Sequence, residues 1–114
     1  IFNGGGVAIG DFNNDNTPDI FFTGNQVSNK LYLNQGELKF KDVTDISGLA
    51  ANNKWKTGVA VVDINNDGFL DIYICAAMYP SNAQKANMLF VNQGLNDEGV
   101  PIFKELAKLI QAIA

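Results

Sequence analysis

Histidine and arginine are both absent from this 114-residue chain, and cysteine occurs once. Without histidine the commonest general base and the commonest transition-metal ligand are missing, so an imidazole-based hydrolytic triad is excluded. Without arginine there is no guanidinium to hold the carboxylate of an acidic sugar. The lone Cys75 lies in the apolar run Ile72-Tyr73-Ile74-Cys75-Ala76-Ala77, so no disulfide can form within the chain and a buried thiol is expected; the redox compartment stays open. No apolar run approaches the roughly 18 residues of a membrane span, and no basic segment leads into an apolar one at the start, so the chain reads as soluble, without membrane insertion or an address. Eight scattered lysines against twelve acidic residues give a net charge of −4, which argues against nucleic acid as a partner.

What the chain does have is a repeat, along with enough apolar residues, 46%, to exclude a wholly disordered segment and bury a core. Gly6-Val7-Ala8-Ile9-Gly10-Asp11 returns as Gly58-Val59-Ala60-Val61-Val62-Asp63, and Asn29-Lys30-Leu31-Tyr32-Leu33-Asn34-Gln35-Gly36 returns as Asn87-Met88-Leu89-Phe90-Val91-Asn92-Gln93-Gly94. The second copy is longer between these matches, through the loop-like stretch from Met78 to Ala86. β-Branched and aromatic runs place strands near 6–11, 19–23, 30–34 and 38–44, and again near 57–63, 70–77, 87–92 and 101–106. Asn34-Gln35-Gly36 and Asn92-Gln93-Gly94 carry turn chemistry, with a glycine free to take positive φ. A four-stranded unit recurring at about 50 to 60 residues suits a propeller better than a sandwich, which has no reason to repeat its loops so literally. The expected class is all-β: two four-stranded antiparallel blades of a β-propeller, 1–52 and 53–114. In the segment from Lys104 to Ala114, Leu106, Leu109, Ile110 and Ile113 stand at helical spacing, which predicts a short terminal helix or a frayed tail.

The chemistry of the repeat lies in two aspartate loops of pattern D-x-N-x-D-x-x-x-D. Asp11, Asn13, Asp15 and Asp19 supply side-chain oxygens at positions one, three, five and nine of the first, and Asp63, Asn65, Asp67 and Asp71 of the second. A tight loop with alternating oxygens fits Ca²⁺, a hard cation taking about six to eight oxygen ligands, and the carbonyls of Thr17 and Phe69 at position seven would complete each ring. Position six needs a sharp turn, which Gly68 makes freely and Asn16 tolerates. Six of the twelve acidic residues fall in these loops, and two bound Ca²⁺ would bring the formal charge to zero. The competing reading is a pair of β-turns capped by their own side chains. An EF-hand is excluded by the flanks: position twelve is Phe22 or Ile74, not glutamate, and the chain continues into strand-like runs.

With these loops between strands, the sequence resembles the FG-GAP/VCBS repeat family, as in integrin-α-type propellers and bacterial VCBS-repeat proteins related to ASPIC/UnbV. The resemblance runs from Asn3 to about Ala107 and implies a propeller with calcium on its rim, held by the loop residues named above. Two departures matter: Asn16 stands where the family usually has glycine, and two blades cannot close a ring that normally takes about four to eight. Open sheet edges invite pairing, so the expected partners are other blades of the same protein or other copies of the chain, with a protein or glycan ligand as a further option. The function implied is a calcium-binding structural, adhesion or self-assembly module of the extracellular space, cell surface or periplasm, and not an enzyme.

Two alternatives belong to other classes. A fragment of a propeller-fold polysaccharide lyase would need acids outside the loops, for which only Asp42, Asp45 and the Asp97-Glu98 turn are available. A lectin-like module would use Trp55 beside Asn52, Asn53 and Lys54 as a stacking platform, although inter-blade packing explains that tryptophan more simply. Tyr79-Pro80-Ser81-Asn82, in the longer loop, is a further candidate contact. Gly4-Gly5-Gly6 is no phosphate cradle, because no Lys-Ser/Thr follows and a strand comes next.

Overall fold

The computed structural model describes residues 6–24, 28–50, 55–77 and 87–106. They form two antiparallel meanders: β1 (Val7–Gly10), β2 (Asp19–Phe22), β3 (Lys30–Asn34) and β4 (Phe40–Asp42) in the first sheet, and β5 (Trp55–Val62), β6 (Asp71–Ala77), β7 (Met88–Leu95) and β8 (Pro101–Glu105) in the second. Each sheet keeps its strands in chain order, as a meander of antiparallel neighbours does. The register pairs Ile9 with Ile20 and Ile20 with Tyr32, and in the second sheet Val61 with Ile72 and Ile72 with Phe90. The two copies are therefore the same unit built twice. The all-β class and the four-stranded blades stand as the sequence indicated, with no closed ring formed by the two.

One core joins the sheets. Phe12, Phe21, Leu31, Leu33, Val43 and Leu49 from the first copy meet Ile72, Ile74, Met88, Phe90, Val100 and Phe103 from the second. The Phe12 and Phe103 rings pack edge to face with centroids 6.2 Å apart. The inner strands approach closely because glycine faces the neighbour: a Cβ on Gly6 would stand 2.9 Å from Val59 Cγ1, and one on Gly10 would stand 3.0 Å from Leu70 Cδ1.

The repeat makes the faces unequal. Val59, Val61 and Ile74 pack toward this shared core, whereas their counterparts Val7, Ile9 and Phe22 point away from it and are 56%, 67% and 42% exposed. With Phe22 edge-on to Tyr32, they make an apolar sheet face that nothing in the described structure covers.

Three expectations need correction. The fourth strand, expected over 38–44, ends at Asp42, and Thr44–Ser47 form a single helical turn, α1. Asp42 Oδ1 accepts hydrogen bonds from the Thr44 N–H and hydroxyl, which turns the chain out of the strand, and Gly48, in the left-handed region, ends the turn. The helical spacing read from Lys104 onward fails at its start, since Lys104 and Glu105 complete β8, paired with Val91 and Phe90; 107–114 lie outside the described residues. Cys75 is exposed, not buried, because strand alternation puts it on the face opposite Ile72 and Ile74.

Candidate metal centre

Both aspartate loops occupy the turn from the first to the second strand of their sheet, and both fold by the same set of hydrogen bonds. Asp11 accepts the N–H groups of Asp15 (3.1 Å) and Asn16 (2.7 Å); Asp63 accepts those of Asp67 (3.0 Å) and Gly68 (2.8 Å). The fifth-position carboxylates accept the N–H of residue seven, Thr17 to Asp15 and Phe69 to Asp67, both at 3.0 Å. The ninth-position carboxylates close the loop from below. Asp19 accepts from Phe12 N (2.9 Å) and Asn34 N (2.9 Å), and Asp71 from Ile64 N (2.9 Å) and Asn92 N (2.7 Å). Sequence reasoning placed the turn correctly at position six, where Asn16 has φ 69° and Gly68 φ 91°. It missed position four, where Asn14 and Asn66 both sit at φ 57°, a conformation asparagine bears better than most residues.

Asp19 and Asp71 are fully buried. Burial pushes the Asp19 carboxyl up to about 6; the N–H donors of Asn34 and Phe12 oppose this, and the nearby Asp15 and Asp11 charges add to it. Asp71 is raised for the same reasons, with Asp67 and Asp63 as the neighbouring charges. Asp63 moves the other way, held down chiefly by the Gly68 N–H. Each loop thus carries a buried carboxylate that water stabilises only in part and that its own neighbours repel.

The oxygens left over bear on whether a cation fits. In the first loop Asn13 Oδ1 is buried and has no hydrogen-bond partner. In the second, the Asn65 side-chain oxygen faces Asp67 Oδ1 at 3.0 Å and Asp63 Oδ1 at 3.2 Å. Three acceptors this close repel one another unless the amide turns over to donate to both carboxylates or a cation sits among them. Among the described residues no three His, Cys, Asp or Glu side chains gather as a metal cluster. The oxygens brought together are a mixed set of carboxylate and amide, and that donor set suits a hard cation over a soft one.

The remaining candidates do not form a second site. Asp42, raised for a lyase, is engaged by the Thr44 hydroxyl and N–H and by Lys30 Nζ at 3.3 Å, and these hold its carboxyl below the usual range. Asp97 and Glu98 lie exposed in the β7–β8 turn, and Asp45 is exposed in α1. Trp55 opens β5, opposite Ala77. Asn52, Asn53, Lys54 and Tyr79–Asn82 lie outside the described residues.

Comparison with known proteins gives the same repeat. The FG-GAP-like repeat family matches residues 11–74, a span that contains both aspartate loops. Cartilage acidic protein 1 of Xenopus tropicalis is 30% identical over 104 residues, covering 91% of this chain. Cartilage acidic protein 1 of Mus musculus is 35% identical over 69 residues, covering 60% of it. The chain spans only 15% and 11% of the length of these two relatives.

Proposed function

Because this chain belongs to the FG-GAP-like repeat family, we propose that its aspartate loops are two structural calcium sites and that the paired blades serve as an extracellular structural, adhesion or self-assembly module, not as an enzyme. The observation that carries this is the same oxygen-lined turn built twice, with Asp11 and Asp63 held by the N–H groups at positions five and six and with Asn13 Oδ1 buried and without a hydrogen-bond partner in the first loop. The first site would use Asp11, Asn13, Asp15, Asp19 and the Thr17 carbonyl, and the second Asp63, Asn65, Asp67, Asp71 and the Phe69 carbonyl. Bound calcium would supply charge neutralisation and a cross-link within each loop. The chain's own part is to hold the loop in shape beforehand, through the N–H bonds to Asp11 and Asp63 and the left-handed residues at positions four and six.

The partner reading rests on the uncovered face. Val7, Ile9 and Phe22 repeat the positions that Val59, Val61 and Ile74 use to pack against a neighbouring blade. Another blade, from the same protein or from a second copy, is the partner this face fits. The extracellular setting is supported by the relatives, whose name places them in cartilage.

The test is a calorimetric titration of the chelator-treated chain with Ca²⁺ and, separately, Mg²⁺, joined to melting curves. Two calcium-selective sites that raise Tm are expected. No heat and no change in Tm would reduce the loops to self-capped turns.

A further inference from the structure

The two loops touch each other through hydrogen bonds that the repeat alone would not reveal. Asn92, at 1% exposure, lies on β7 near its turn into β8. Its N–H donates to Asp71 Oδ1 in the second loop at 2.7 Å. Its side-chain oxygen accepts the Gly94 N–H at 2.9 Å, which fixes the orientation of the amide. The amide nitrogen then crosses between blades and donates to the Phe12 carbonyl at 3.0 Å. On the other side of the Phe12 Cα, the Phe12 N–H donates to Asp19 Oδ2 at 2.9 Å. Phe12, through the two peptide groups that flank its Cα, and Asn92 thus connect Asp19 to Asp71, the ninth residues of both loops. A second bond runs alongside it, from Asn14 Nδ2 to the Gly68 carbonyl at 3.2 Å.

Asn34 shows what is particular to Asn92. Its N–H binds Asp19 and its side-chain oxygen caps Gly36, as in the other blade, but among the described residues its amide nitrogen reaches no neighbouring loop. The crossing bond is therefore an inter-blade contact and not a requirement of the hairpin.

We propose that Asn92 couples the two loops, so that calcium in one tightens calcium in the other. The inference rests on the calcium reading above. A cation in the first loop fixes Asp19 and with it the backbone at Phe12, whose carbonyl holds the Asn92 amide, and the Asn92 N–H steadies Asp71 before the second cation arrives. Ordering that the first ion has produced need not be produced again by the second, which gives positive cooperativity. Repulsion between two divalent ions acts against this, but each loop carries three aspartates and stays net negative after binding one.

The experiment is a thermodynamic cycle on the full chain by calcium calorimetry. Asp15→Asn and Asp67→Asn each leave one loop able to bind, and their constants give the two affinities taken alone; the unaltered chain gives the affinity for both ions together. Coupling makes the joint constant exceed the product of the separate ones by about fivefold, at the low end of measured allosteric couplings. In an Asn92→Ala background the excess falls to about one, with both sites still binding. Because Asn92 is buried, Asn14→Gly, which keeps the left-handed backbone and removes the amide that reaches Gly68, is measured beside it and reduces the excess in part even if Asn92→Ala does not fold. Calcium binding with no excess in the unaltered chain, or an excess that neither variant reduces, overturns the coupling while leaving the calcium sites in place. Absence of any calcium heat overturns both.

Discussion

Removing calcium and raising the pH should expose the cost of keeping Asp19 charged. Its carboxyl, ordinarily near 3.8, is pushed up to about 6 by burial, assisted by Asp15 and Asp11. A carboxylate whose folded value lies above its unfolded one favours folding when protonated. Its contribution is complete below about pH 4 and is lost as the pH climbs through 6. A shift of about two units corresponds to about 3 kcal/mol unscreened; water on the open side of the loop reduces this to about 1–2 kcal/mol, or on the order of 5–10 °C in Tm for a chain of this size. Asp71, raised for the same cause, adds to the slope in the same direction. Asp15, Asp42 and Asp63 are lowered, so their effect has the opposite sign and falls below pH 4, outside this window. The assay is urea denaturation of the chelator-treated chain between pH 4 and 7, repeated in saturating calcium. Stability should fall across the window without calcium and hold with it, so that the gap between the two curves widens with pH. Asp19→Asn, which cannot titrate, should flatten the calcium-free profile, while lowering stability throughout because its NH₂ group faces a backbone N–H. Stability that is level or rising from pH 4 to 6 in the chelator-treated chain would refute the reasoning.

Two further outcomes test the packing and the loop. Phe12→Ala removes a fully buried ring that sits between the sheets against Phe103; unfolding in urea should show a loss of about 3–5 kcal/mol, and a loss under about 1 kcal/mol would mean that the sheets are not joined through this ring. Asn16→Gly relieves a left-handed residue at φ 69° while keeping the N–H donated to Asp11; the chelator-treated chain should gain about 0.5 kcal/mol, and a loss of stability would show that the asparagine side chain contributes something the backbone argument omits.

Much of this protein was legible in its sequence because its information is local and repeated. Strand alternation, the Asn-Gln-Gly turns and the D-x-N-x-D-x-x-x-D spacing all act within a few residues, and finding each of them twice outweighed the ambiguity of a single copy. The places where reading failed are those where a local signal competed with a tertiary one. Thr44 looked like the end of a strand until Asp42 captured its hydroxyl, and the helical tail read from Lys104 gives up Lys104 and Glu105 to the strand expected over 101–106, which pairs with β7. Cys75 sits in an apolar run, and only the register decides which side of β6 it faces.

The sequence by itself determined the repeat, the strand order within each unit, and the residues of each loop, since all of these follow from spacing along the chain. The tertiary structure alone decided which face of each sheet is covered, that the ninth aspartates are buried on backbone N–H groups, and that Asn92 spans the gap between the loops. Those facts depend on residues as far apart as Phe12 and Asn92, brought within 3.0 Å by the packing of one sheet on the other. No periodicity in a single chain records such a distance, because the contact arises from the shared core and not from either repeat.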